Sequence, residues 1–380
     1  MRRAAILIAA CLVLAAPATA QTDPADSARQ AMRLLEDAQA ALDDADGASD
    51  RVAALTQTVQ AYEAGLAALR EGLRQARVRE AAIDGVFQAE NERLAQLLGV
   101  LQAIEAAPEP HLLLHPSGPV GTARTGMILS EVTPALSAEA NRLREALQEI
   151  AVLRSLQEAA VDTLENGLTG VQRARTELSQ AMSNRTDLPR RFTTDPEAME
   201  NLVATADTLE SFASGLMSAT VEDTSVSIAN PGFVEAQGTL ELPVLGRVIR
   251  HAGEADAAGV RRPGWVIATR PLTLVTLPWA ATIRYLGPLL DYGLVAIVEP
   301  GEDYLLVLAG LGQVFGEVGE VLPQGAPIGL MGGAAPDDPQ AFLISNDQSG
   351  GAEASETLYL ELRHEGEPVD PADWFAVSGE

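Results

Sequence analysis

Leu358-Tyr359-Leu360-Glu361-Leu362-Arg363, followed by Gly366, Pro368-Val369-Asp370-Pro371 and Trp374, is the stretch on which the reading of the fold turns. It is a short β-rich run that ends in turn residues. Working upstream, the same texture recurs at Ile328–Met331, Tyr304–Leu308, Gly293–Val298, Ala281–Tyr285 and Leu272–Leu277, each bounded by Gly or Pro. Many short strands at regular spacing predict an all-β sandwich or barrel-like domain that begins near Leu240.

Further upstream the texture is helical. From Thr22 to Ile104 the chain is rich in Ala, Leu, Gln, Glu and Arg, with almost no Gly or Pro. Leu55, Val59, Tyr62, Leu66, Leu69 and Leu73 step by 4, 3, 4, 3 and 4, which is a heptad seam. It resumes at Ile83, Phe87, Leu94, Leu97 and Leu101. A second stripe, Leu147, Ile150, Leu164, Leu168, Val171 and Leu178, lies between Leu143 and Met182. Gly47, within Asp44–Asp50, is a candidate interruption of the first helix. Between the stripes, Ala106–Pro134 holds Pro108, Pro110, Pro116, Pro119 and Pro134, and proline removes helical donors. Two apolar stripes joined by such a break bury each other by folding back, which predicts a long antiparallel coiled-coil hairpin. Dimerisation through the same seam is the alternative. A separate short helix is expected over Asp195–Ser218, with Thr194 or Asp195 as cap and Pro196 at its first position.

The N-terminus reads as a secretory signal: Arg2 and Arg3, an apolar run from Ala4 to Ala15, and the small-x-small site Ala18-Thr19-Ala20. That run is shorter than the roughly 20 apolar residues of a bilayer span, so no membrane anchor of its own is expected. A lipoprotein box at Ile8-Ala9-Ala10-Cys11 competes poorly, because the apolar stretch continues past Cys11. Cys11 is the only cysteine, so the mature chain is expected to use no disulfide. With 53 acidic against 26 basic residues the net charge is −27, which argues against nucleic acid and anionic lipid as partners.

The C-terminal region resembles the LytM (lysostaphin-like) zinc peptidases, motif by motif and in order. Leu242-Pro243-Val244 and Gly246-Arg247-Val248 match the entry "LPxPVxGxV", and Gly264-Trp265-Val266-Ile267-Ala268 matches the strand that carries the ligand Asp. Asp291-Tyr292-Gly293-Leu294-Val295 matches "GYGxxV", with Glu299-Pro300-Gly301 where "xHG" stands. Val318-Gly319 and Gly325-Ala326-Pro327-Ile328-Gly329 match "VGxxVxxGxxIGxxG", and the closing stretch matches "LxFEIRxxGxPVNPxxW". The likeness covers about residues 240–376. A Ser/Gly stretch common in the family is replaced by the longer Ala334–Ala354.

Such enzymes hold Zn²⁺ through H-x-x-x-D and the second His of H-x-H, and leave a position open for an activated water. Here Arg262 and Val266 occupy the first two ligand positions and Tyr359 the third. Gly310 and Thr357 stand at the assisting His positions. A cation, an apolar side chain and a neutral phenol do not replace that ligand set, so no metal, no cofactor and no catalysis are expected. The four His, at 111, 115, 251 and 364, fall at none of these positions. Other chemistries lack their signatures: no G-x-S-x-G motif and no phosphate loop.

What the resemblance implies is a groove kept for binding, lined by Val266, Tyr292, Tyr359 and Arg363 with Trp265 alongside. Aromatics and Arg suit a peptide or an amphipathic helix. Signal peptide (1–20), hairpin (21–188), regulatory helix and linker (189–238) and degenerate LytM-like domain (239–380) together resemble the EnvC-type murein hydrolase activators. The overall class is α+β multidomain. The resemblance implies a periplasmic protein of cell division that switches on N-acetylmuramoyl-L-alanine amidases acting on peptidoglycan. Its coiled coil would dock on an FtsE–FtsX-like membrane complex, and a restraining helix would cover the groove. The rival classes are a LytM-family peptidoglycan endopeptidase and a structural envelope scaffold without an amidase partner.

Overall fold

The computed structural model describes residues 24–105, 118–185, 196–218, 232–301, 303–333 and 356–376. The expected signal segment, His111 and His115 with most of the prolines between the stripes, and the Ala334–Ala354 stretch lie outside the described residues. The chain divides into two compact units. One comprises the residues up to Leu66 together with those from Gly167 on; the other is Ala67–Asn166.

Three helices enter the first unit. α1 (Pro24–Asp43) ends just before Gly47, and α2 (Ala48–Glu105) starts just after it, so the Gly47 interruption is where the sequence put it. α1 lays Ala31 and Ala38 inward, and the Cα of Gly65 lets the two helices approach: a Cβ there would sit 3.5 Å from that of Ala31. Of the heptad seam, Leu55, Val59 and Leu66 are buried in this unit. α3 (Gly118–Ser183) buries Val171, Ala174 and Leu178. α2 and α3 run antiparallel here, since Tyr62 meets Gly170 while Leu66 meets Gly167. The approach is close, for a Cβ on Gly170 would stand 2.6 Å from the Tyr62 ring.

In the second unit the helices are tied by side chains at the surface. Arg79 donates to Glu149 at 2.7 Å, and Arg154 and Gln157 donate to Glu80 at 2.8 and 3.0 Å. Leu73 and Ile83 are buried, but Leu147, expected in the second stripe, is half exposed. The larger correction concerns proline. The expected break to Pro134 does not extend that far: α3 runs from Gly118 straight through Pro134. Pro119 costs nothing in a first turn whose N–H groups have no helical partner. Pro134 sits inside a helix of 66 residues, whose many other backbone bonds carry the one that proline cannot make.

The predicted helix over Asp195–Ser218 is two helices, α4 (Pro196–Thr205) and α5 (Leu209–Ser218). A capping pair makes the break. Thr208 Oγ1 accepts from the Ser211 N–H at 3.0 Å, and Ser211 Oγ accepts from the Thr208 N–H at 3.2 Å. This starts a new helix where the first has just stopped.

The C-terminal domain is one hydrogen-bonded sheet of ten strands, and its strand pairings are antiparallel: β1 (Gly246–Arg250), β2 (Trp265–Thr269), β3 (Leu274–Thr276), β4 (Ala281–Pro288), β5 (Leu294–Gly301), β6 (Tyr304–Val314), β7 (Val321–Leu322), β8 (Pro327–Met331), β9 (Glu356–His364) and β10 (Glu367–Val369). The main path runs β1-β2-β9-β6-β5-β4-β7, while β10 pairs with β9, and β8 joins β3 to β6. The central strands read as continuous apolar runs because both of their faces are covered. One face packs Ile267, Ile283, Val298, Leu308, Leu358 and Leu360 against Val275, Ile328, Phe233 and Trp374. Phe233 stacks on Trp374 with centroids 4.6 Å apart. Leu240 and residues 374–376 clasp the two ends of the domain through paired backbone bonds of 3.1 and 2.8 Å. The other face packs Tyr285, Val295, Ile297, Leu305, Val307 and Tyr359 against Leu209, Phe212, Ala213 and Leu216 of α5.

Candidate functional site

The second face holds the positions singled out in the sequence. Alternation along β9 sends Leu358, Leu360 and Leu362 to the first face and Tyr359 to the second. On β2, Val266 pairs with Tyr359 and lies on the same side, whereas Trp265 points into the opposite core. Trp265 therefore does not join the group. The turn before β5 brings Tyr292 to Tyr359 with ring centroids 5.8 Å apart, and the Arg262 guanidinium lies 6.0 Å from the Tyr292 ring. Arg262 and Val266, Tyr292 and Tyr359 thus come together from three separate places in the sequence.

Below Tyr359 runs a buried polar chain. The Gly264 N–H donates to the Tyr359 hydroxyl at 3.1 Å, and that hydroxyl donates to Glu361 Oε2 at 2.5 Å. Arg363 Nη1 donates to Glu361 Oε1, and its Nε and Nη2 donate to the Gly366 carbonyl at 3.0 and 2.6 Å. Arg363 is 1% exposed, so its charge is met inside the domain. Burial, with the Glu361 carboxylate alongside, pushes the Tyr359 phenol well above its ordinary pKa. Tyr359 is therefore a neutral phenol at any physiological pH. Glu361, which the sequence reading passed over, is the carboxylate that organises the network. The alternation Tyr-x-Glu-x-Arg along one strand face was the signal for it.

A zinc ion does not fit these residues. The three ligand positions offer a guanidinium, an isopropyl group and a phenol held protonated. Gly310, at an assisting-His position, has φ +92°, and a Cβ there would lie 2.5 Å from the Thr357 carbonyl oxygen, so the backbone itself excludes a side chain. Thr357 is exposed. Among the described residues no group of three or more His, Cys, Asp or Glu is placed to hold a metal.

α5 closes over this face. Phe212 is fully buried and meets Tyr285 edge to face, with centroids 4.8 Å apart. Burial pushes the Tyr285 phenol up, and its hydroxyl donates to the Pro288 carbonyl at 2.7 Å. At the helix end, Arg284 Nη2 donates to the Leu216 carbonyl at 3.3 Å while Nη1 pairs with Glu299 at 2.9 Å. From α4, Met199, Leu202 and Val203 pack on the same cluster, as do Val266 and Tyr292 from the sheet side.

A second junction ties α2 and α3 to the domain. The Glu63 carboxylate accepts from Arg175 at 2.7 Å and from the Leu274 N–H of β3 at 3.0 Å. Burial pushes the Glu63 carboxyl up, against the pull of Arg175.

No family model matches the chain. Among curated relatives, two examples show the likeness. An uncharacterised protein of Neisseria meningitidis serogroup B is 29% identical over 143 residues, 38% of this chain and 21% of its own length. The murein hydrolase activator EnvC of Escherichia coli is 26% identical over 155 residues, 41% of this chain and 33% of its own. The chain thus spans a third or less of the length of these relatives. Among solved structures, Csd3 of Helicobacter pylori matches at 18% identity and a TM-score of 0.28, covering 36% of this chain and 35% of that one. A zinc-containing peptidase of Vibrio cholerae matches at 15% and 0.27, covering 35% and 39%. The sequence likeness to the activator accords with a LytM-like reading of the β-domain.

Proposed function

We propose that this chain is a non-catalytic activator of periplasmic N-acetylmuramoyl-L-alanine amidases, working on peptidoglycan at cell division. The observation that carries the reading is the fate of the ligand positions. Val266, Tyr292 and Tyr359 form an apolar, aromatic face, and a short helix pair covers it rather than strands of the sheet. Phe212 and its neighbours occupy the face as a docked amphipathic helix would. Displacing α4–α5 frees that face for a helix of an autoinhibited amidase, and binding free energy then shifts the amidase towards its active state. Arg363 and Glu361 hold Tyr359 in place from beneath, while Arg262 stands at the rim.

The remainder of the reading follows the same family frame. The chain is exported through residues 1–20, and α2 and α3 form a coiled-coil arm that docks on an FtsE–FtsX-like membrane complex. Movement of that arm displaces the cover.

The test is wall digestion. Purified full-length chain is mixed with a periplasmic amidase of the same cell and dye-labelled peptidoglycan. Phe212→Ala, which loosens the cover, is expected to raise dye release above the unaltered chain. Adding Tyr292→Ala to it is expected to abolish that gain. If neither the unaltered nor the loosened chain stimulates any amidase of that cell, the proposal fails. Digestion by the chain alone, with zinc bound, would instead establish a peptidase.

A further inference from the structure

The face beneath α4–α5 has a sign of charge as well as a shape. All 26 cationic side chains of this protein are arginine, and none falls between Arg191 and Arg247. The cover segment therefore carries acids alone: Glu197, Glu200, Asp207 and Glu210. The first three are exposed. The sheet answers with the opposite sign. Arg250 pairs with Val266 across β1 and β2, and Arg247 pairs with Ala268, so both side chains leave the sheet on the face of Val266. Arg262 joins them over the Tyr292 ring. Arg247 and Arg262 are exposed and Arg250 is half exposed.

These three arginines thus share the Val266 side of the sheet, with Arg262 beside Tyr292, in a molecule of net charge −27. Their acidic company on the β1–β2 turn is small. Asp256 lies near Arg250 and Arg262, its carboxyl held low by the Val260 and Ala258 N–H groups, and Glu254 accepts from the His251 N–H. Arg261 turns away to donate to the Gly253 carbonyl.

We infer that the helix this face takes from its partner is acidic, an amphipathic helix whose carboxylates align with Arg247, Arg250 and Arg262, and that α4–α5 imitates it. The inference rests on the docking reading above and adds the chemistry of the occupant. A guanidinium recognises a carboxylate in a planar, two-point geometry, so these residues select sign and position together. The cover's own apolar stripe, Leu209, Phe212 and Leu216, supplies the template for the partner's buried side.

The probe is the cover itself. A labelled peptide of residues 196–218 is titrated into the full-length Phe212→Ala chain, alongside an amide peptide with Glu197→Gln, Glu200→Gln, Asp207→Asn and Glu210→Gln. Leu209→Ala serves as a second loosened chain should Phe212→Ala unfold, which thermal melting reports. The acidic peptide is expected to bind roughly ten-fold more tightly than the amide peptide, and the gap to shrink several-fold between about 20 and about 500 mM salt. Changing Arg247, Arg250 and Arg262 together to Gln is expected to abolish the gap. Equal binding of the two peptides overturns the inference and leaves groove docking intact. Binding of neither overturns it too, and the wall-digestion assay then decides whether docking falls with it. Self-association of the loosened chain that competes with the peptide would assign the face to a second copy, and would likewise overturn it.

Discussion

The two faces of the ten-stranded sheet are buried alike and covered differently. On one face the lid is made of the domain's own β3, β8 and closing segment, with Phe233 stacked on Trp374 and the two ends of the domain clasped at Leu240. On the other the lid is two ten-residue helices, inserted through Phe212 and held at one end by Arg284. Helices this short have little stability apart from what they pack on. The first lid is built from the domain's own strands; the second is a pair of short helices that rest on the sheet through side-chain packing. On the proposed reading, this difference separates stability from switching within one sheet.

The comparison is broken most forcefully at Trp374. Trp374→Ala is expected to cost about 3–5 kcal/mol of global stability, read by chemical denaturation. Glu361→Ala comes next: it strands the buried Arg363 charge and is expected to cost about 3 kcal/mol. Phe212→Ala sharpens the contrast. The loss should appear as local opening, with amides of α4 and α5 exchanging roughly a hundred-fold faster while the β-strand amides hardly change. If strand amides accelerate equally, the cover is structural and the distinction between the faces is lost.

The smallest expected effect is at Tyr359. Tyr359→Phe leaves the Gly264 N–H unsatisfied and removes one donor to Glu361, at about 1–2 kcal/mol. Its pH dependence has a definite sign. The folded phenol titrates above the ordinary value of about 10, so the unfolded chain ionises first. Stability should therefore fall as pH rises past about 10, by up to about 1.4 kcal/mol per pH unit, and this contribution should vanish in Tyr359→Phe.

Much of this was legible in the residues. The glycine between α1 and α2 marked a real break, and the strand runs fell where Gly and Pro bounded them. Motif order named Val266, Tyr292 and Tyr359, and these lie side by side on one face. What motif order does not convey is the side of the strand. Trp265 is one residue from Val266 and so faces the other core, and only the period of two tells them apart. Arg363 was read as available to a partner, but the turn at Gly366 offers a carbonyl that its neighbours in sequence do not announce. Pro134 shows the reverse failure: local propensity signalled a stop that a long helix overrode. The split between α4 and α5 lay in Thr208 and Ser211, a capping pair hidden within a seemingly continuous apolar stripe.

The Tyr62–Gly170 approach gives the helix pair a mechanical character. The ring occupies the space a Cβ would need, so an axial slide by one turn would bring Ala174 or Asn166 against it. Such sliding would meet a clash at the ring. One residue along α2, the Glu63 carboxylate grips both Arg175 and the backbone of β3. The helix pair is thus joined at adjacent positions to itself and to a strand of the sheet, a geometry in which a load on the pair would reach β3 through one carboxylate.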